Sequence, residues 1–432
     1  MRRRLAFALA FALAVGGSLG FEIAWLRAAR TEGTAWSTSG GQGAADGADR
    51  SPPTVGVRAF PDGGKRPPPD PPDELTVTLA FGGDVLTHMP VNQSAATGST
   101  YDFTPLLAGV DTWIAGADLA ICQLEVPLTP PGVAPSGYPV FGAPDVLIRD
   151  LAEQGWDGCT TSSNHSLDRG WAGVEHTIAT LQAHDMGYSG TALSAADATS
   201  PQLYRLTLAG QSITVAHIAA TYGTNGIPIP ASQPWCVNTP IDVDKIVAAA
   251  TEARAAGADI VIATIHAGVE YLTTPTDEQR AIAEQLAASG QIDAMVGDHP
   301  HVAEPIELVD GGVGGDGMWT IYSLGNFISN QTDAVVGPNT DTGVVAYLTV
   351  TKDTDGARVT AMTWAGVTVD TAHGHRLHML EDAAAAGGQL GQIGAAGVAT
   401  RYTRLRAILG AAPEQIAPPT PSGAVLEVLP RG

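Results

Sequence analysis

From Leu75 onward, short apolar runs alternate with longer helix-like stretches, and this alternation limits the possible folds more than any other feature. The runs have the length of buried strands and are bounded by Gly and polar residues. The predicted strands are LTVTLAF (75–81), DLAICQL (118–124), GCTTSS (158–163), SITVAHI (212–218), DIVIATI (259–265), DAMVG (293–297) and WTIYSL (319–324). Helices are expected near residues 103–115, 170–185, 243–256 and 276–289. Strands that alternate with helices indicate an α/β protein.

Two predicted hairpins break the alternation. They cover RLTLAGQSITVAH (205–217) and VVAYLTVTKDTDGARVTAMTW (344–364), and Asp355-Gly356 forms the turn of the second. Because hairpins bring antiparallel neighbours into a sheet, we expect the sheets to be mixed. After about Asp370 the chain becomes rich in Ala and Gly and ends in a Pro-rich segment, with helices expected over 377–385 and 398–409.

The charge balance excludes one class of partner. The chain has 44 acidic residues against 22 basic ones, a net charge of −22. Nucleic-acid binding needs a basic patch, so we expect no nucleic-acid partner. The three cysteines are too few for a disulfide scaffold and form no CxxC motif. One disulfide could form outside the cell, and it would leave the third cysteine as a free thiol.

The first thirty residues have the pattern of an export signal. Three arginines follow Met1, and an uncharged, largely apolar stretch covers residues 5–21. No small-x-small cleavage site directly follows, so we expect an uncleaved membrane anchor over residues 1–30, with a cleaved signal peptide as the alternative. The arginines should stay inside the cell, which places the rest of the chain outside. The Gly- and Pro-rich residues 31–74 should form a linker.

Six predicted strands run directly into carboxylate, imidazole or carboxamide side chains. In chain order these are Asp84 and His88; Glu125; Asn164 and His165; His266 and Glu270; His299 and His301; and Asn326. The carboxyl ends of strands in α/β sheets form the edge where ligands bind. These side chains are ligands for hard or borderline divalent metals, so the sequence predicts a shared metal site.

Taken alone, each residue also has an ordinary structural explanation. Asp84 follows two glycines and suits a turn, and His266 could be a core histidine bonded to a carbonyl. The His299-Pro300-His301 pair is more specific. In extended backbone, residues i and i+2 point to one face, so both imidazoles are expected to converge on one centre.

Several long motifs resemble the CapA family of poly-γ-glutamate capsule biosynthesis proteins. They are LAFGGDVLTH, DLAICQLEVPLT, GWDGCTTSSNHSLDRGWAGVEHTIATL, IVIATIHAGVEY, DAMVGDHPHVAEPIE and IYSLGNF, in this order within residues 75–331. The resemblance implies a metallophosphatase-like fold, a four-layer α-β-β-α sandwich with two mixed sheets. The chain departs from the family at three positions, with Gln123 and Ser163 in place of asparagine and Asp298 in place of histidine. The Asp-x-His motif of true phosphoesterases is also missing.

The resemblance also implies roles for individual residues. Metal ligands would be Asp84, Glu125, Asn164, His266, His299 and His301, with Glu125 in the bridging position. His165 would be a general acid, and substrate contacts would come from His88, Glu270, Tyr271 and Asn326. The implied cofactor is one or two divalent ions of the Mn, Zn, Fe, Mg or Ca class. Residues 332–370 would complete the fold as a hairpin, and residues 371–432 would form a tail.

We therefore expect a single-pass protein with an extracellular domain that acts in synthesis or export of a poly-γ-glutamate-type capsule. Its expected partners are the membrane through the N-terminal helix and the membrane proteins that synthesise or export the polymer. Two alternatives stay open: a secreted metal-dependent phosphoesterase or other hydrolase, and a scaffold whose metal only adds stability. The sequence leaves open whether the protein is an enzyme.

Overall fold

The computed structural model describes residues 74–431, and most of its strands belong to two large sheets. In chain order the strands are β1 (Leu75–Val85), β2 (Ala96–Thr97), β3 (Thr100–Tyr101), β4 (Leu119–Leu124), β5 (Gly158–Thr160), β6 (Gly187–Ser189), β7 (Gln202–Leu208), β8 (Gln211–Thr221), β9 (Ile260–His266), β10 (Ala294–Asp298), β11 (Ile306–Val309), β12 (Met318–Ile321), β13 (Asn326–Ile328), β14 (Thr342–Asp353), β15 (Gly356–Asp370), β16 (Arg376–Met379) and β17 (Val425–Leu429). All of the strands predicted from the apolar runs are present.

The helices lie mainly in the connections between strands. They are α1 (Met89–Ser94), α2 (Thr104–Leu107), α3 (Asp111–Ile114), α4 (Val146–Gln154), α5 (Gly170–Ala183), α6 (Ala195–Thr199), α7 (Val243–Ala255), α8 (Asp277–Ala288) and α9 (Ala395–Leu409). Local sequence sets several of these ends. At the start of α8, Thr276 and Gln279 form a capping box that satisfies free backbone N–H groups.

Both large sheets are mixed, as expected. The first has the order β16-β15-β14-β1-β4-β5-β6, with β13 also paired to β1. Its β1, β4, β5 and β6 are parallel, whereas β14, β15 and β16 pair antiparallel. The second has the order β11-β12-β10-β9-β8-β7-β17, with β8, β9, β10 and β12 parallel.

Three apolar clusters divide the described fold into four layers. The central cluster joins the facing sides of the two sheets, for example Leu79 and Ile121 with Ile262 and Val296. A second cluster packs the outer side of the first sheet against α4 and α5, and a third packs the second sheet against α7 and α8. This is the expected α-β-β-α arrangement of two sheets flanked by helices. Alternate residues of a strand point to opposite faces of its sheet. Each sheet therefore packs one apolar face against the other sheet and its second apolar face against helices.

The prediction was wrong in two places. The helix expected over 103–115 is two short helices, α2 and α3, separated by a 3₁₀ turn at Ala108–Val110. The helix expected over 377–385 is instead β16 followed by a 3₁₀ turn, because its apolar residues pair with β15. The helix expected over 398–409 is α9.

The expected anchor over residues 1–30 and nearly all of the expected linker over 31–74 lie outside the described residues. Within residues 74–431, none of the helices combines the length and apolarity that crossing a bilayer requires.

A disulfide joins neighbouring strands of the first sheet. Cys122 in β4 and Cys159 in β5 are register partners with Cα atoms 4.4 Å apart, and both are buried. Cys236 is free and buried. The disulfide thus ties together the strands that lead into Glu125 and Asn164.

The C-terminal segment is part of the fold rather than a separate tail. Strand β17 pairs antiparallel with β7, more than two hundred residues away in sequence. Beyond it, the almost fully buried Arg431 side chain forms an ion pair with Asp197 at 3.0 Å. Its guanidinium also donates hydrogen bonds to four backbone carbonyls, those of Ser200, Tyr188, Thr191 and Asp197.

Replacing this arginine should destabilise the protein strongly. Arg431→Met leaves Asp197 buried without its positively charged partner and removes donors from four carbonyls, so the free energy of unfolding should fall by about 3 kcal/mol. Urea unfolding measures the change. Glu427→Gln is the matched control, because its pair with Arg205 across the same two strands is exposed and should contribute less than about 1 kcal/mol. Equal effects of the two variants would contradict this role for Arg431.

Candidate metal centre

The polar side chains that follow the central strands meet between the two sheets. Side chains of alternate residues in β4 and β9 face the opposite sheet, which directs Glu125 and His266 toward each other. Asp84 lies in β1 beside a shift in its register with β4, and its backbone N–H donates to Gly325 O at 2.9 Å. All six predicted metal ligands are buried here.

One group of ligand atoms comes from Asp84, Glu125 and His301, and these atoms lie within 4.8 Å of one another. His301 Nδ1 is 3.1 Å from Asp84 Oδ2, and its Nε2 is 3.7 Å from Glu125 Oε1. One imidazole therefore spans two carboxylates from neighbouring strands of the other sheet.

A second group contains Glu125, His266 and His299, with ligand atoms again within 4.8 Å of one another. His266 Nε2 is 4.0 Å from Glu125 Oε1 and 2.9 Å from Asn164 Oδ1. Glu125 belongs to both groups, which is the geometry expected of a carboxylate between two ions.

Several atoms of this cluster are buried without a hydrogen-bond partner. They are both carboxylate oxygens of Glu125, Asp84 Oδ1 and His299 Nδ1. Buried polar atoms are almost always paired, because leaving them unpaired costs a large part of their hydration energy. Oxygen and imidazole donors with unused lone pairs fit divalent cations such as Mn²⁺ or Zn²⁺. The residues present therefore suit a metal centre.

The pKa shifts of the site residues also suit a metal centre. Burial raises the pKa of Glu125, the nearby positive charge of His301 opposes that shift, and the negative charge of Asp84 adds to it. Burial, helped by the positive charge of His301, lowers the pKa of His299 to about 3. Burial also lowers the pKa of His266. His266 and His299 are thus neutral at physiological pH, and each has a lone pair for an ion.

His301 differs from the other two imidazoles. Burial disfavours its charge, but the attraction of Glu125 and Asp84 outweighs burial and raises the pKa of His301 to about 10. Without an ion, a proton on this ring compensates the two carboxylates.

The turn that presents His299 and His301 differs from the expected extended backbone. Both residues have positive φ, 101° and 59°, so the inference from i and i+2 alternation was wrong. The strand ends at Asp298, and the chain then turns, which brings both rings inward. The turn is held by Tyr271 N–H donating to Pro300 O at 2.7 Å and by Asn326 Nδ2 donating to His301 O at 3.2 Å.

His165, the expected general acid, lies beside the cluster and is oriented by an acidic partner. Its Nδ1 is 2.7 Å from Asp168 Oδ2, and this oxygen also accepts the Phe141 N–H at 2.7 Å. Phe141 packs its ring edge-on to the imidazole, with centroids 4.8 Å apart. Asp168 can hold the ring in one orientation during proton transfer.

The four expected substrate-contact residues divide into two pairs. Glu270 and Tyr271 are exposed on the loop after β9, and the Tyr271 ring lies 6.1 Å from that of His301. Tyr222, which is also exposed, lies 4.7 Å from the His299 ring. Tyr222 and Tyr271 are thus exposed side chains next to the buried imidazoles of His299 and His301.

His88 and Asn326 are placed differently. The His88 ring packs against Phe141 at 5.2 Å, and burial lowers the pKa of His88 to about 3. Asn326 is fully buried, and its Nδ2 donates to the backbone oxygens of His301 and Thr340 and to the Gln331 side chain. Through its bond to His301 O, Asn326 stabilises the turn that presents His301.

The sequence analysis assigned no role to three further polar residues at the site. Gln123 contacts His266, Asp298 is the β10 register partner of His266, and Asn225 Oδ1 accepts a hydrogen bond from Asn164 Nδ2. In the sequence, only Gln123 and Asp298 could have been singled out, because both depart from the family motifs.

Comparison with known proteins agrees with the motifs. Residues 78–331, more than half of the chain, match the family described as bacterial capsule synthesis protein PGA_cap. The chain belongs to this family. Its curated relatives include the PGA biosynthesis protein CapA of Bacillus subtilis (strain 168), 30% identical over 185 residues, which is 43% of this chain and 45% of the relative. The capsule biosynthesis protein CapA of Bacillus anthracis is 27% identical over 195 residues, 44% of each chain.

The matched region thus spans less than half the length of these curated relatives. Among solved structures, the chain is similar to the calcineurin-like phosphoesterase YfkN of Bacillus subtilis, with 13% identity and a TM-score of 0.38, over 68% of this chain and 91% of that one.

Divalent metal should stabilise this capsule family member through the cluster. With Mn²⁺ at about 100 times its dissociation constant, stability should rise by about 2.7 kcal/mol, or roughly 3 to 4 °C in unfolding temperature. Differential scanning fluorimetry with and without EDTA measures this shift. Asp84→Asn should lose most of the shift, whereas the exposed Asp316→Asn should keep it. A shift that survives in Asp84→Asn would place the bound metal elsewhere.

Proposed function

We propose that this protein is a cell-surface, metal-dependent component of poly-γ-glutamate-type capsule synthesis or export. The observation that carries the proposal is the shared, unpartnered Glu125 carboxylate between two groups of ligand-type side chains, in a chain that belongs to the capsule synthesis family. Named relatives in that family are CapA proteins of capsule and PGA biosynthesis.

The residues present can hold two divalent ions. Asp84, Glu125 and His301 form one set of donors, and Glu125, His266 and His299 form the other, with Asn164 Oδ1 beside His266. Ions held there would polarise a carbonyl or carboxylate oxygen of the substrate and lower the pKa of water. They would also offset the negative charge of the cluster, which allows an acidic protein to bind an acidic polymer.

The chain's own residues would handle the substrate around these ions. Tyr222 and Tyr271 are exposed beside His299 and His301, and their rings can pack against the methylene groups of a polymer. His165, held by Asp168, is placed to exchange a proton with a leaving or entering group.

The proposed location outside the cytoplasm is supported by the disulfide. Cys122–Cys159 is a structural bond in the core, and such bonds persist in oxidising compartments. Together with the expected N-terminal anchor, this favours a domain at the outer face of the membrane. There it would act beside the membrane proteins that synthesise or export the polymer.

A second candidate function is a secreted metal-dependent phosphoesterase or related hydrolase. The observation that favours it is the His165–Asp168 pair next to the ligand groups, because a proton donor in that position would assist departure of a phosphate-ester oxygen. The two functions require different substrates, a γ-glutamyl polymer and a phosphate ester, so assays with both substrates distinguish them.

The test uses full-length protein in detergent, with γ-glutamyl oligomers and a nitrophenyl phosphodiester as the two substrates. We expect metal-dependent oligomer binding that EDTA and His299→Ala each reduce at least tenfold. The exposed His373→Ala should leave binding unchanged and serves as the control. Binding and hydrolysis are followed by calorimetry and chromatography.

Hydrolysis of the phosphodiester alone, lost in His299→Ala, would favour the second function. Failure to bind or cleave either substrate in the presence of Mn²⁺ or Zn²⁺ would contradict both functions.

A further inference from the structure

Gln123 lies next to the two groups of candidate metal ligands and contacts one of their histidines, His266. It is in β4, two residues before Glu125, on the side of the strand that faces the second sheet. His266 ends β9 on the facing sheet, and the Gln123 Nε2 to His266 Nδ1 distance is 3.3 Å. Gln123 is 1% exposed, so this contact is shielded from bulk water.

The two sides of the His266 ring have different partners. Its Nε2 faces the cluster, 2.9 Å from Asn164 Oδ1 and 4.0 Å from Glu125 Oε1. Its Nδ1 faces Gln123. A neutral imidazole carries one hydrogen, so the partner of one nitrogen decides whether the other nitrogen is a donor or an acceptor.

In the structure, the carboxamide of Gln123 favours the hydrogen on Nε2. Gln123 Nε2 donates toward His266 Nδ1 and toward Ser162 O, both at 3.3 Å. Nδ1 is then the acceptor, and Nε2–H donates to Asn164 Oδ1. Gln123 Oε1 is buried with no hydrogen-bond partner. This arrangement suits the protein without an ion.

Holding a cation requires the opposite arrangement. Nε2 can bind a metal only through its lone pair, so the ring hydrogen must be on Nδ1, where it needs an acceptor. Within residues 74–431, Gln123 is the side chain in hydrogen-bond contact with Nδ1. Rotation of its carboxamide brings the unpartnered Oε1 to Nδ1–H. It gives up the long contact with Ser162 O and turns the Nε2–H donors to the side where Oε1 now lies.

We propose that Gln123 is a positioning residue that presents His266 Nε2 to a divalent ion by accepting a hydrogen bond from Nδ1 after its carboxamide turns over. This inference rests on the metal centre of the proposed function and assigns a role to a residue that departs from the family motif. It makes metal affinity depend on a side chain that touches no metal.

The proposal predicts a graded series of metal affinities. Gln123→Leu keeps the size but removes the acceptor, and the Mn²⁺ and Zn²⁺ dissociation constants should rise 10- to 100-fold. Gln123→Glu keeps an acceptor oxygen for Nδ1–H, so affinity should return to within a few-fold of wild type. Gln154→Leu is the control, because it removes another buried carboxamide, which bonds Leu107 O, Asp111 and the Trp156 indole N–H. Isothermal titration calorimetry on the full chain measures all four proteins.

A second measurement reports the His266 ring itself. In ¹⁵N-histidine-labelled protein, the His266 signals should change from the Nε2–H to the Nδ1–H tautomer when Zn²⁺ is added, and Gln123→Leu should weaken this change at equal Zn²⁺. Wild-type affinity in Gln123→Leu, or an equal loss in Gln154→Leu, would overturn the proposal while leaving the metal centre intact. Wild-type protein that binds neither ion would overturn the metal centre and this proposal together.

Discussion

The candidate metal centre depends on the burial of a carboxylate, Glu125, between two sheets that bring it no hydrogen-bond donor. Both of its oxygens are unpartnered, and the raised pKa of Glu125 reflects the cost of desolvating its charge. Such a cost persists only where something compensates it. Within the described residues, His301 offers one positive charge, and the remaining donors are arranged as a cation would need them. The packing of sheet against sheet thereby creates the conditions for the site.

That packing also explains why the site is assembled from distant segments. The facing apolar rows of β1, β4, β9 and β10 fix the sheets in one register, so the residues that follow each strand meet at one place. The disulfide between β4 and β5 holds two of these strand ends together. The turn at His299 and His301 is then fixed from outside by Tyr271 and Asn326. The ligands are therefore held by packing that does not depend on the ligands themselves.

The sequence predicted the strands and the polar side chains that follow them because both signals are local. A run such as DIVIATI has strand length and ends in His266, and parallel strands must share an edge. It did not predict the turn geometry at His299, since positive φ depends on contacts with Tyr271 and Asn326 from elsewhere in the chain. Strand β17 was also missed, because a short half-exposed strand is defined by its distant partner β7. The contact between Gln123 and His266 joins two sheets and has no local signature.

The most direct test of the account is anomalous diffraction from crystals of the protein soaked in Mn²⁺. The account predicts anomalous density beside Glu125, bounded by Asp84 and His301 on one side and by His266 and His299 on the other. Absence of density there at saturating Mn²⁺, or density only at surface acidic residues, would contradict the claim that this pocket is a metal centre.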